Sequence, residues 1–489
     1  MLRSLEPVFR RTLMVAVVLW LPAQEALRPI TDTDIWWHLS VGRWIAENGG
    51  LPSVDPLTRM GAEGQAWVAY SWLYEIVMFG LYESLGPSAM ILYTLVLALA
   101  IAAATLWLIR RPSRGLLLPF VLSGAAMLSM LGLIYDRPWM LTILFFILLL
   151  LALWKGREQP RVLWWTVPLF WLWANVHIVF VYGLGVMGFA LLDGLAGRWG
   201  YGDGTRHFDP SATAKVLGAC LLVTLLTPNH VYLWIVVAQY VGEATPFRLV
   251  EELQAPDFRT VHEWIFLFMS VAAAAALGWR RRRDVFAVLL LVAGIYLSHR
   301  ASRDVWFTAI ASALILADCL AGTALDPPNK PGERLAARHL PWVGLWVLAG
   351  LLLSGKWVWL DNHRLRESVV DHFPVAAADH VVSQGYSGPL YNHFEWGGYL
   401  GWRFQGLDLP VSIDGRTNLA GEQRLQLSVN SWFGYHGDWK RDPDLKTANL
   451  VVGPSEMPLI YLLEASGTFR KVYSDEQATV MIRTAPHPR

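Results

Sequence analysis

Long apolar runs, almost free of charge, recur along most of this chain and leave their charged residues in the short stretches between them. In a bilayer such a run must satisfy its own backbone, so it crosses as a helix. The runs fall at 12–29, 87–109, 115–134, 138–154, 162–175, 178–195, 213–228, 262–279, 285–299, 304–322 and 341–360. Several are shorter than the roughly 20 residues a span prefers. The runs 162–175 and 178–195 nearly touch at Asn175-Val176-His177, so one long tilted helix or a re-entrant pair competes there with two spans. The pattern predicts an α-helical polytopic membrane protein with about eleven transmembrane helices. Composition agrees: 16% of the 489 residues are charged, against roughly 25% in soluble domains. The 26 Trp suit membrane interfaces, where an apolar ring and an N–H donor are both satisfied. A net charge of +1 gives no ground for a nucleic-acid partner. Cys220 and Cys319 sit in different apolar runs and read as small buried hydrophobes, not as a disulfide or a thiolate metal site.

Lys and Arg placement sets the orientation. With a cytoplasmic N-terminus, the inner turns hold Arg3, Arg10, Arg11; Arg110, Arg111, Arg114; Lys155, Arg157, Arg161; Arg198, Arg206; Arg280, Arg281, Arg282, Arg283; and Lys330, Arg334, Arg338. Eleven crossings then place the C-terminus outside. The first run, short and preceded by arginines, is either a signal peptide or a retained helix. The retained helix is the reading adopted, because the residues just after it carry chemistry. Residues 326–332 read as a polar inner linker.

Two outer segments are long. Residues 29–86 contain amphipathic stretches at 35–48 and 72–85, and 227–263 holds another at 232–241; such helices can lie in the interface plane. After Leu360 the apolar runs shrink to strand length. Residues 373–384 read as a helix with Pro374 in its first turn. Residues 389–392, 409–413, 450–452 and 479–482 read as strands. The expected division is a transmembrane domain over 1–360 and a small soluble α/β domain over 361–489.

Residues able to carry chemistry gather in the outer turns. In Thr31-Asp32-Thr33-Asp34-Ile35-Trp36-Trp37-His38, Asp34 and His38 are four apart and share a helix face. They suit deprotonation of an acceptor hydroxyl or a divalent cation. The structural alternative is helix capping by Thr31, Asp32 or Thr33. Asp136 and Arg137 lie between the third and fourth runs, where charge near the membrane is costly, or they merely close a turn. His177 lies at another outer turn and reads equally as a hydrogen-bonded turn residue. Glu251, beside Glu252, is either a binding group or part of a solvated face. Arg300 and Arg303 break the positive-inside trend; their guanidinium forks suit a phosphate, or they pair with Asp304 or another outer carboxylate. No P-loop, HExxH, GxSxG or CxxC occurs.

These residues, with Leu51-Pro52-Ser53-Val54-Asp55-Pro56, Trp67, Trp72-Leu73-Tyr74-Glu75, Trp173-Ala174-Asn175-Val176-His177, Asn392 to Leu400 and Ile413-Asp414-Gly415-Arg416-Thr417, carry a resemblance. Nearly the whole chain resembles the GT-C superfamily of polytopic membrane glycosyltransferases, and most specifically a group of bacterial multi-pass proteins. The resemblance implies a catalytic acid in the first outer loop, which Asp34 or Asp32 would supply with His38 beside it. It also implies a second acid, where Asp136 sits, and a polyprenyl-phosphate sugar donor, bound by Arg137, His177, Glu251, Arg300 and Arg303. A metal-binding DxD is not evident in the second loop, which leaves the cofactor open between none and a divalent cation. The implied activity is transfer of a sugar from a polyprenyl-phosphate-linked donor to an extracytoplasmic acceptor, at a bacterial inner membrane. Two rivals stand beside it: a transporter or flippase of lipid-linked saccharide, and a non-catalytic membrane assembly factor.

Overall fold

The computed structural model describes residues 2–201, 207–242, 250–279, 284–329 and 337–484. Arg206, Arg280, Arg281, Arg282, Arg283, Lys330 and Arg334 lie outside the described residues, as do the side chains of Arg3 and Glu251. The chain forms two compact units. The first comprises Met1–Arg28, Met90–Thr227 and Val250–Leu360; the second comprises Pro29–Ala89, Pro228–Leu249 and Asp361–Arg489. The sequence division at 360/361 is one of these boundaries, but the C-terminal stretch forms its unit together with the first long outer segment and part of the second.

Each apolar run coincides with an α-helix. They are Leu2–Ala26, Ser88–Ile109, Leu117–Ser129, Trp139–Gly156, Thr166–Val176, Phe180–Arg198, Pro210–Val223, Val261–Trp279, Val285–Arg300, Val305–Leu320 and Leu340–Leu353. Among the described residues, Ser88–Ile109, Trp139–Gly156, Phe180–Arg198 and Val261–Trp279 are long and apolar enough to cross a membrane by length and composition. Several other runs are divided between an α-helix and a 3₁₀ turn, at Leu131–Leu133, Pro160–Trp165 and Lys356–Leu360, so their α-helices are shorter than the runs. The close pair of runs is two helices, because His177 is extended (φ −157°, ψ 138°) and ends the first. Val305–Leu320 is apolar around almost its whole circumference and correspondingly buried on every side. It packs on Leu117–Ser129, Val261–Trp279 and Val285–Arg300. Asp326, in the expected linker, is buried and accepts from the backbone N–H groups of Arg114 (2.7 Å), Gly115 (3.0 Å) and Gly322 (3.2 Å), so this part is a fixed turn.

In the second unit the amphipathic stretches are helices Ile35–Asn48, Trp72–Leu85 and Tyr232–Gly242. The first two pack closely through Gly42, where an added Cβ would lie 2.2 Å from the Glu75 carbonyl oxygen. Strands β1 (Leu390–Asn392), β2 (Leu450–Pro454), β3 (Phe469–Ser474) and β4 (Ala478–Arg483) form one sheet in the order β1-β2-β4-β3. β1 and β2 are parallel; β4 runs antiparallel to both β2 and β3. The sheet packs its core, including Tyr391, Val451 and Met481, against Trp432, Leu459 and Leu463. Two expectations are corrected. Residues 409–413 are not a strand: Pro410 has no N–H to give, and only Val411 bridges, to Thr58. The helix expected from 373 begins at Val375, with Pro374 as its N-cap.

Candidate functional site

In the second unit the two acids at the start of the Ile35–Asn48 helix have different local roles. Asp32 is buried, and its Oδ1 accepts from the Asp34 backbone N–H at 2.8 Å, fixing the turn that enters the helix. Asp34 occupies the N-cap position, yet its side chain makes no capping bond. Its carboxylate lies against Gly415, where an added Cβ would sit 2.0 Å from Asp34 Oδ1. His38, one turn on, shares its helix face with Gly42. The close approach at Gly42 brings His38 Nδ1 to 3.3 Å from Glu75 Oε1. His38 stacks on Trp37, ring centroids 3.5 Å apart, and meets the edge of Tyr74. It therefore engages Glu75, a residue that carried only the family resemblance.

Behind Asp34 lies a buried ion cluster. Asn392 ends β1 and holds the next segment: its Oδ1 accepts from Ser412 N at 2.8 Å and its Nδ2 donates to Ile413 O at 2.8 Å. The Asp414-Gly415-Arg416 turn follows. Asp414 Oδ1 accepts from the Arg416 backbone N–H at 3.0 Å. The Arg416 guanidinium donates to both oxygens of Asp414 (Nε at 3.0 and 3.1 Å, Nη2 at 2.5 Å) and, through Nη1, to Asp55 Oδ1 at 2.6 Å. All three side chains are at most 1% exposed. Asp55 also accepts from Thr58, from its backbone N–H at 2.9 Å and from its hydroxyl. Trp67 and Trp37 face the guanidinium at 4.7 and 5.6 Å. The Asp–Arg pair is thus internal to the turn and extends to Asp55.

Glu75 is fully buried, and its Oε2 has no hydrogen-bond partner. Burial pushes its pKa up to about 8, while the positive charge of Arg416 works in the other direction. Folded Glu75 keeps its proton up to about 8, whereas an unfolded glutamate loses it near 4.3. Between these values folding takes up a proton, so this group's contribution to stability falls as pH rises through the window and is lost above about 8. Thermal melts of full-length protein in detergent should show that decline, and Glu75→Gln should flatten it. A Glu75→Gln curve parallel to wild type would refute the assignment.

The first unit holds the remaining candidates. Arg137 Nη1 lies 3.1 Å from each oxygen of Glu252 and its guanidinium 4.7 Å from the Trp139 ring centre. Arg303 Nη1 is 3.9 Å from the same Glu252, so two guanidinium groups share one carboxylate. Glu252 pairs with both arginines, while the side chain of Glu251 lies outside the described residues. Asp136 is buried, and Tyr93, beside it, donates to Arg137 O at 3.3 Å. His177 Nδ1 is 2.8 Å from Thr142 Oγ1, which accepts from Trp173 Nε1 at 2.8 Å. Arg300 ends the Val285–Arg300 helix; after it, Ser302 donates from N and Oγ to Gln254 O at 2.8 Å, and Tyr182 donates to Asp304 Oδ2 at 2.9 Å. Sequence reading missed Tyr182, a lone Tyr in an apolar run.

Among the described residues no group of three or more His, Cys, Asp or Glu side chains is placed to hold a metal ion. Asp55 and Asp414 already turn their oxygens to Arg416.

No protein-family description matches the chain, and no curated protein matches it. Among solved structures, the archaeal oligosaccharyltransferase AglB from Archaeoglobus fulgidus, in complex with an inhibitory peptide and a dolichol-phosphate, matches with a TM-score of 0.54 at 12% identity. The match covers 97% of this chain and 74% of that one. The Archaeoglobus fulgidus oligosaccharyltransferase in its apo form gives 0.53 at 11% identity, over 91% of this chain and 69% of that one. ArnT from Cupriavidus metallidurans bound to undecaprenyl phosphate gives 0.47 at 14% identity over 97% of each chain, an overlap too loose to carry argument. The chain shares the fold of these oligosaccharyltransferases, mostly helical with a small sheet.

Proposed function

We propose that this protein is an inverting membrane glycosyltransferase that moves a sugar from a polyprenyl-phosphate-linked donor to an extracytoplasmic acceptor. The observation that carries the reading is the division of labour between the two acids. Asp32 holds the turn, whereas Asp34 stands at the head of an amphipathic helix with its carboxylate against Gly415. The fold shared with lipid-linked oligosaccharyltransferases supports it. Asp34 takes the proton of the acceptor hydroxyl as its oxygen attacks the sugar's anomeric carbon. The bond from that carbon to the phosphate oxygen breaks, and the polyprenyl phosphate leaves with the electron pair. Phosphate binding is a separate assignment, to Arg300 and Arg303 of the first unit, with Arg137 and His177 nearby. Asp136 is the second acid that the resemblance implies.

The test is transfer by purified full-length protein in lipid nanodiscs, offered a panel of undecaprenyl-phosphate sugars and alcohol acceptors. No transfer with any of them would count against the enzyme reading. Independently, Arg300→Ala or Arg303→Ala should weaken undecaprenyl phosphate binding by about 1.5–3 kcal/mol, the worth of a hydrogen bond to a charged group. Unchanged affinity in both variants removes the phosphate role.

The reading also takes the chain as crossing the inner membrane eleven times, with a cytoplasmic N-terminus and the C-terminal segment outside. The basic inner turns support this. Reporters fused after Arg114 and after Asp361 should register opposite sides; the same side for both would overturn it.

A further inference from the structure

We infer that the Asp414-Gly415-Arg416 turn is a positioning element for the Asp34 carboxylate, so that the C-terminal segment builds the wall against which the acid rests. The inference rests on the reading of Asp34 as the acid and adds what fixes it. The turn is held from both sides. Arg416 clamps it to Asp55 and Asp414, and Asn392 Nδ2 grips the Ile413 carbonyl at 2.8 Å. Gly397 packs so tightly beneath it that an added Cβ would lie 2.0 Å from the Ile413 oxygen. The backbone of the acid is fixed as well. Asp32 Oδ1 holds the Asp34 N–H at 2.8 Å, and Gly398 faces the Thr33 carbonyl, 2.7 Å from where its Cβ would be. Between these two fixed backbones the Asp34 carboxylate has one face closed by Gly415.

Gly415 is not in the left-handed region, so its backbone does not call for glycine. Space does. A Cβ there would meet Asp34 Oδ1 at 2.0 Å and Cγ at 3.0 Å, then Trp37 Nε1 at 3.5 Å. What must yield to a methyl group at 415 is therefore the end of one short side chain. Gly415→Ala should displace the Asp34 carboxylate while leaving the acid present and the unit folded. Gly415 and Arg416 are positioning residues; neither is assigned contact with substrate. The turn and the acid lie almost four hundred residues apart in sequence, which gives the C-terminal segment a part in catalysis distinct from binding a partner.

The experiment compares wild type, Gly415→Ala and Asp34→Asn as full-length protein in nanodiscs. Carbodiimide labelling of Asp34 with glycine ethyl ester, read by mass spectrometry across a pH series, reports the carboxylate without needing a substrate. Gly415→Ala should shift the pH midpoint or rate of labelling at Asp34 while the melting temperature holds. With the undecaprenyl-phosphate sugar identified in the transfer assay, kcat should fall about 10–100-fold at unchanged KM for the donor, the order expected when a catalytic group is misplaced by an ångström. Labelling and kcat both as in wild type, with Asp34→Asn inactive, overturns this inference and leaves the functional reading standing. An active Asp34→Asn overturns both.

Discussion

Replacing Asp34 by asparagine should lower sugar transfer by about 10²–10⁴-fold, the usual contribution of a positioned general base, and leave the melting temperature where it was. The substitution keeps the size of the side chain and one oxygen acceptor. It removes the group that can accept a proton. Because the Asp34 side chain makes no capping bond, the helix start does not depend on its charge through a cap. Donor binding, assigned to arginines of the first unit, should be unaffected. Asp32 supplies the contrast: its Oδ1 is the acceptor that fixes the Asp34 N–H. Asp32→Ala should therefore cost about 1 kcal/mol, as loss of a capping oxygen does, with a smaller effect on turnover than on stability. Wild-type turnover by Asp34→Asn would remove the acid from the mechanism.

Arg416→Ala should be the most damaging substitution for stability, at about 3–5 kcal/mol, the cost of stripping one partner from a buried ion cluster. Asp55 and Asp414 would then face each other's surroundings with no guanidinium between them, in a site at most 1% exposed. Glu75 would lose a positive charge that now opposes its raised pKa. The companion variant separates charge from packing. Combining Arg416→Met with Asp55→Asn and Asp414→Asn removes all three charges together and keeps much of the volume, so it should lose less than Arg416→Ala alone. Thermal unfolding monitored by size-exclusion chromatography reads both. If Arg416→Ala melts with the wild type, the cluster contributes little and the clamp is misjudged.

What the sequence disclosed divides along the range of the interactions. Helices were legible because apolar length and period are local properties: all eleven runs became helices, and some ends drifted where 3₁₀ turns take over, as after Ser129 and Leu353. β1, β2 and β4 were legible as short apolar runs. β3 was not, because Phe469-Arg470-Lys471-Val472-Tyr473-Ser474 exposes much of its surface and carries a bulge between Lys471 and Tyr473. Residues 409–413 look like a strand by composition but lack a ladder partner beyond Thr58. At the site, Asp32, Asp34 and His38 were found from one motif. Their neighbours lie outside the motif: Glu75 for His38 and Gly415 for Asp34. The link from Arg416 to Asp55 spans 361 residues, and nothing local at either end announces it.

That span has a meaning in time as well as in space. At about 5–20 residues per second of synthesis, Arg416 leaves the ribosome roughly 20–70 s after Asp55. Throughout that interval Asp55 and Glu75 have no guanidinium to settle beside, and burying them would leave bare charge or force protonation. The contact between residue 55 and the guanidinium can close only once the C-terminal stretch is present. A product that stops before residue 416 can never complete this closure. The ion cluster thus ties the maturity of the earliest outer segment to whether translation has finished.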